Sequence, residues 1–170
     1  MQERTGVITF KGGPLTLIGP EIKVGDSAPN FKLLNNGLEE KSLDQYKGKT
    51  LILSVSPSLD TPVCADQIRR FNKEIPNLPS GVEVLMITAD LPFAQGRFCG
   101  VENLKVATLS DHRDMSFGAS YGTYIKELRL DTRALFVIGK DGKVKHVQYV
   151  KEVTEHPDYD KALQAAKANA

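Results

Sequence analysis

TLILSVSPSLDTPVCADQIRRFNKEIPNLPSGVEVLMITA, residues 50–89, decides the fold. Residues 50–56 form an almost continuous apolar run, the pattern of a strand covered on both faces. ADQIRRFNKEI (65–75) sets Ile68, Phe71 and Ile75 at helical spacing, and VEVLMITA (82–89) is a second buried strand. Strand, helix and strand in this order make a βαβ unit, whose strands run parallel with a right-handed crossover.

Outward from this unit the alternation continues. Residues 92–100 suggest a short helix, VATLSD (106–111) a third strand, and DMSFGASYG (114–122) a weak helix interrupted by glycines. ALFVIGKDGKVKHVQYV (134–150) is two β-rich runs around Asp141-Gly142, a strong hairpin signal. PDYDKALQAAKA (157–168) closes the chain as a helix with Tyr159, Leu163 and Ala166 on one face. Upstream, GVITF and PLTLIG flank Gly12-Gly13 and predict an N-terminal β-hairpin, while residues 20–49 are rich in turn formers and read as mostly irregular. The order β-α-β-α-β-α-β-β-α predicts an α/β fold, a central mixed sheet flanked by helices. The closing antiparallel hairpin makes it resemble a thioredoxin-like fold more than a doubly wound nucleotide binder. No GxGxxG or GxxxxGK[ST] follows a strand, so nucleotide binding has no support.

Bulk properties bound the function. A chain of 170 residues favours one domain over 1–170. At that size folding buries roughly 70% of the exposed surface, enough to need no metal or structural disulfide. With 41% hydrophobic and 25% charged residues the composition is that of a soluble globular domain. A net charge of +1 gives no electrostatic reason to expect nucleic acid or anionic membrane as partners. No apolar run approaches the roughly 20 residues that span a bilayer. MQERTGVITF has no apolar signal core, so a cytoplasmic location is expected. His112, His146 and His156 are scattered without zinc-site spacing, and no cofactor is called for.

The two cysteines, Cys64 and Cys99, lie 35 positions apart, so they form no CxxC pair. Burial is the default reading of a free cysteine, but the setting of Cys64 argues otherwise. PSLDTPVC (57–64) joins the end of a buried strand to a helix, where sites form in such sheets. Thr61 suits the N-cap and Pro62 the first helical position, which makes Cys64 the third. There a thiolate faces free backbone N–H groups and the positive end of the helix dipole. Only the thiolate is nucleophilic, and a helix N-terminus with a nearby cation lowers a thiol pKa from about 8.5 to about 3.5–7.5. The Thr61 hydroxyl either caps the helix, bonds the sulfur or a peroxide oxygen, or does both. Pro57 either ends the strand or walls the sulfur from solvent. Arg133 begins a buried strand, an unusual place for an arginine unless paired. Asp60 and Asp131 are candidate partners, and a role at the thiolate is the alternative. Arg69 and Arg70 lie about 140° and 240° around the helix from Cys64 and should face solvent or a partner. Arg97, two residues before Cys99, reads as a surface residue, and Phe93 and Phe98 as core rather than dimer contacts.

Pro57, Thr61 and Cys64 match the PxxxTxxC signature of peroxiredoxins. The longer run PSLDTPVCADQIRRFN, then DLPFAQGRFC, then TRALFVI…DGKV…YVKEVT…PDY, resemble the thiol peroxidase branch, an atypical two-cysteine class, over essentially the whole chain. The resemblance implies that Cys64 is the peroxidatic cysteine and Cys99 the resolving one. It implies that Thr61 and Pro57 are active-site positions and that Arg133 stabilises the thiolate and polarises the peroxide. It further implies an intramolecular Cys64–Cys99 disulfide recycled by thioredoxin, a homodimer, and no metal, flavin or heme. GVENL, after Cys99, varies in the family. The rival reading is a thioredoxin-fold redox sensor or relay with the same cysteines, separated by whether peroxide turns over.

Overall fold

The computed structural model describes residues 1–170. The first two β-rich runs pair as β1 (Glu3–Phe10) and β2 (Gly13–Ile18), turning through Lys11 and Gly12 at positive φ, 49° and 81°. Residues 20–49 are mostly irregular, as expected, but not wholly so. They hold β3 (Lys32–Leu34), β4 (Glu40–Ser42) and a 3₁₀ turn over Leu43–Tyr46. Strands of 3 residues are too short for a period-two pattern to show in sequence.

The predicted alternation follows as β5 (Thr50–Val55), α1 (Pro62–Glu74), β6 (Val82–Thr88), α2 (Pro92–Glu102), β7 (Ala107–Ser110) and α3 (Ser116–Tyr121). A small pair, β8 (Tyr124–Ile125) and β9 (Leu130–Asp131), then leads into the hairpin of β10 (Ala134–Ile138) and β11 (Val144–Tyr149) and the last helix, α4 (Tyr159–Ala168). The main sheet has 7 strands in the order β11-β10-β5-β6-β7-β3-β4. β5, β6 and β7 are parallel, and β10 runs antiparallel to both its neighbours. A second sheet, β1-β2-β8-β9, joins the N-terminal hairpin to the body.

Alternating side chains send β5, β6 and β10 into two cores. Ile52, Val84, Met86, Leu135 and Val137 meet Ile68 and Phe71 of α1, Cys99 of α2 and Leu163 of α4. Leu51, Leu53, Leu85, Ile87 and Phe136 meet Phe117 and Tyr121 of α3. The sheet is thus mixed and covered by helices on both faces, as expected. Both right-handed crossovers lie on one face, so α1 and α2 are neighbours and start at the same sheet edge, the C-terminal ends of β5 and β6. Ile8, Leu17, Ile125 and Val153 form a third cluster under the hairpin. No helix is long and apolar enough to cross a membrane.

Candidate active site

The loop between β5 and α1 is fixed by a single carboxylate. Asp90 accepts from Ser58 Oγ at 2.6 Å, Leu59 N at 2.8 Å and Thr88 Oγ1 at 2.8 Å. This tight turn brings the Ser58 carbonyl under Thr61, whose amide and hydroxyl both donate to it, at 3.1 and 2.8 Å. Thr61 therefore occupies the N-cap position without its side chain capping the helix, contrary to expectation. Its hydroxyl proton is already used, so the oxygen is free to accept. Pro62 opens α1, as expected, and the first-turn amides of Val63 and Cys64 are left without a side-chain acceptor. Cys64, at the third helical position, is fully buried.

Arg133, 2% exposed, precedes β10 and turns back toward this helix. Its Nη1 donates to Gln67 Oε1 at 2.9 Å and its Nε to the Val153 carbonyl at 2.9 Å. Gln67, one turn after Cys64, is held in turn by donating Nε2 to Ser54 Oγ at 2.7 Å and to the Val55 carbonyl at 3.2 Å. Neither suggested acidic partner reaches the guanidinium. Asp60 faces Arg97 at 3.9 Å, and Asp131 accepts from Thr123 Oγ1. This buried arginine is thus held by an amide and a carbonyl, with no carboxylate opposite it.

Pro57, Thr61, Pro62, Val63 and Arg133 line one cavity of about 420 Å³, with Phe10 and Lys11 from the hairpin turn and Val153 and Thr154 after β11. The structure thus gathers Pro57, Thr61 and Arg133 around the first turn of the helix that carries Cys64. Another hollow, of about 320 Å³ near Ile75, Leu78 and Val106, has neither a nucleophile nor a buried cation among its lining residues. Tyr159 stacks edge-on to Phe71 at 5.6 Å; burial pushes its phenol up to about 12, against the influence of nearby Arg133. Gln67, Asp90 and the hairpin turn escaped sequence reasoning. Only Gln67 carried a signal, its spacing of one helical turn from Cys64.

Neither cysteine is among the cavity's lining residues: Cys64 lies buried just behind Val63, and Cys99 is further away. Cys99 lies in the last turns of α2, packed in the core with Ile68 and Phe71. Burial pushes its thiol up, partly offset by the Thr108 hydroxyl. Arg69 ties α1 to α2, donating to Glu102 at 2.6 Å and lying 5.8 Å from the Phe98 ring centre. Arg70 pairs with Glu74 and Asp160. Phe98 packs on the core, but Phe93 does not: it is 66% exposed, on the outer side of α2 beyond reach of the sheet.

Residues 23–163 match the redoxin family model. The thiol peroxidase of Bacillus subtilis is 60% identical over 162 residues, 95% of this chain and 96% of its own length. The crystal structure of a peroxiredoxin-like protein from Aquifex aeolicus is 40% identical and superposes with a TM-score of 0.90, covering 98% of each chain. The thiol peroxidase from Chromobacterium violaceum, 20% identical, has the same fold, with a TM-score of 0.79 over 91% of each chain. The chain belongs to the redoxin family, among its peroxiredoxin-type thiol peroxidases, which reduce peroxides at the expense of a thiol.

Proposed function

We propose that Cys64 is the peroxidatic thiolate and that Arg133 is its electrophilic partner. The observation that carries this reading is the buried Arg133, without a carboxylate partner, in the wall of a cavity built on the first turn of the Cys64 helix. The Cys64 sulfur attacks the terminal oxygen of the hydroperoxide. The O–O bond breaks, the distal oxygen stays on sulfur with its hydrogen as a sulfenic acid, and the other leaves as hydroxide or alkoxide that takes a proton from solvent to become water or an alcohol. Charge develops on the departing oxygen, which the remaining Arg133 donors and the free first-turn amides are suited to meet. The Thr61 oxygen can accept a hydrogen bond from the peroxide O–H, and Pro57 adds no donor to compete.

Cys99 then attacks the sulfenic sulfur, expels water and forms an intramolecular disulfide. Cys64 lies two residues into α1 and Cys99 seven residues into α2. With helices starting at one edge and packed side by side, the Cα atoms are on the order of 12 Å apart. A disulfide requires less than about 7 Å, so closure needs a turn of α1 or α2 to unwind. An external dithiol, thioredoxin by resemblance, reduces the bond by exchange. The reading places the cycle in the reducing cytoplasm and in a homodimer, for which the exposed Phe93 and Val101 of α2 offer apolar contacts.

The test is a pair of variants treated with hydrogen peroxide. Cys64→Ser should consume no peroxide. Cys99→Ser should consume one equivalent, carry one added oxygen on Cys64 by mass spectrometry, and lose thioredoxin-supported turnover. Near-normal activity of Cys64→Ser, or full multiple turnover by Cys99→Ser, would sink the assignment. A redox relay would form the disulfide without sustained peroxide turnover.

A further inference from the structure

The turn of the N-terminal hairpin reaches the cavity from outside the matched family segment, which begins at residue 23. The end of β1 takes backbone partners from the chain after β11: Thr9 N donates to Lys151 O at 2.7 Å, and Val153 N donates to Thr9 O at 2.9 Å. These two bonds hold the strand but not the turn beyond it. The turn is held by Glu152. Its Oε1 accepts from Thr9 Oγ1 at 3.0 Å and from Gly12 N at 2.9 Å, and its Oε2 from Thr154 N at 2.9 Å and Thr154 Oγ1 at 2.6 Å. These donors hold the carboxyl down at about 2, so it stays ionised at any ordinary working pH. Phe10, between the bonded residues Thr9 and Gly12, is 42% exposed and faces the cavity beside Lys11 rather than entering the core. The flanking residues belong to the same site: Val153 gives its carbonyl to Arg133 and Thr154 lines the cavity.

We infer that Glu152 is a positioning residue that clamps the hairpin turn over the cavity, so that Phe10 and Lys11 form a wall selecting hydroperoxides with an apolar organic group. The inference rests on the peroxidase reading. The wall lines the same cavity as Pro57 and Thr61 and, carried by another element, would meet the organic half of a substrate rather than its reacting oxygens. Hydrogen peroxide has no such half. Loss of the wall should therefore raise KM for an organic hydroperoxide more than it lowers the rate of O–O cleavage.

The experiment compares cumene hydroperoxide with hydrogen peroxide in steady state, with dithiothreitol as reductant, and follows amide exchange of residues 3–18. For Glu152→Ala the ratio of kcat/KM, cumene hydroperoxide over hydrogen peroxide, should fall about tenfold, chiefly through KM, as roughly one aromatic contact is lost. Amides at the hairpin turn should exchange faster in the same variant. Phe10→Ala, which removes an exposed ring and leaves the clamp, should lower the ratio by a similar factor, and the double variant no further. Glu152→Gln keeps an acceptor for one pair of donors only and should fall between. An unchanged ratio in both single variants overturns the clamp, as does a lowered ratio in Glu152→Ala without faster exchange. If the wild-type protein reduces neither peroxide, the peroxidase reading itself falls and takes the clamp with it. If it reduces both with the ratio insensitive to Glu152 and Phe10, the clamp alone is wrong.

Discussion

Replacing Gln67 by Leu tests whether the aim of Arg133 is built into the fold. The side chains are similar in volume, so packing against Ser54 and Val55 is largely kept, but the amide is lost. Gln67 is fully buried and makes three bonds, one accepted from Arg133 and two donated to Ser54 Oγ and the Val55 carbonyl. A bond to a charged partner contributes about 1.5–3 kcal/mol and a neutral one about 1 kcal/mol. The added apolar burial returns part of this, leaving a net loss of about 2–4 kcal/mol. For a chain of this size that lowers Tm by roughly 5–15 °C. Arg133 would keep only its Nε bond to Val153 and could swing out of line. Single-turnover oxidation by peroxide should slow by about tenfold or more, as expected when a preorganised donor is lost. Gln67→Glu is the control. It restores the acceptor for Arg133 but not the donation to the Val55 carbonyl, so only part of the stability returns, and because it pairs Arg133 with a negative charge, peroxide oxidation should still be slow. Calorimetry and stopped-flow fluorescence read both quantities. A Gln67→Leu protein with the wild-type Tm and oxidation rate would show that neither the network nor the aim of Arg133 matters.

Arg69→Ala removes the tie between α1 and α2; disulfide closure after peroxide addition should speed up about two- to fivefold, as loss of an exposed pair would allow, and slower closure in stopped-flow would show that the tie assists resolution. Asp111 and Asp131 form a buried carboxyl pair, with burial raising Asp111 to about 6 and burial plus the Asp111 charge raising Asp131 well above the usual range. Groups that bind protons more tightly folded than unfolded stabilise fully below about pH 4, and that contribution is lost as pH rises through about 6 for Asp111 and through its own raised pKa for Asp131. Asp131→Asn should therefore raise Tm at pH 7 and flatten its dependence above about pH 4; a lowered Tm at pH 7 would show that the carboxyl is needed where it sits.

What sequence made legible was local. The β5–α1–β6 unit, the helix start at Pro62 and the place of Cys64 all follow from spacing within a few residues. β3 and β4 were missed because their strands show no period. Phe93 was read as core because an aromatic is usually buried, yet no short-range pattern tells which side of α2 meets the sheet when Phe93 and Phe98 project differently. For Arg133 the sequence left two readings open, a salt bridge with Asp60 or Asp131 and a role at the thiolate, and neither names the groups that hold it. Its actual holders are a side-chain amide 66 residues before it and a carbonyl 20 residues after it. A carbonyl has no residue type, so it leaves no trace in sequence. The approach of the hairpin turn to the cavity depends on the Glu152 carboxylate accepting from Thr9 and Gly12, a contact made only in three dimensions.

The separation of Cys64 from Cys99 across two intact helices has a thermodynamic corollary. A bond between them would close a loop of about 35 residues containing all of β6, and so restrict the unfolded chain by about 4 kcal/mol on the chain-entropy view. Drawing the two sulfurs together requires a helical turn to melt, which subtracts from that gain. The oxidised protein would then be locally looser and globally harder to unfold than the reduced one. The shortfall of its measured stabilisation from about 4 kcal/mol is a direct reading of the melted turn. That same quantity sets how readily the bond yields to a reductant, so thermal denaturation of the two redox forms would report on the energetics of recycling without any peroxide present.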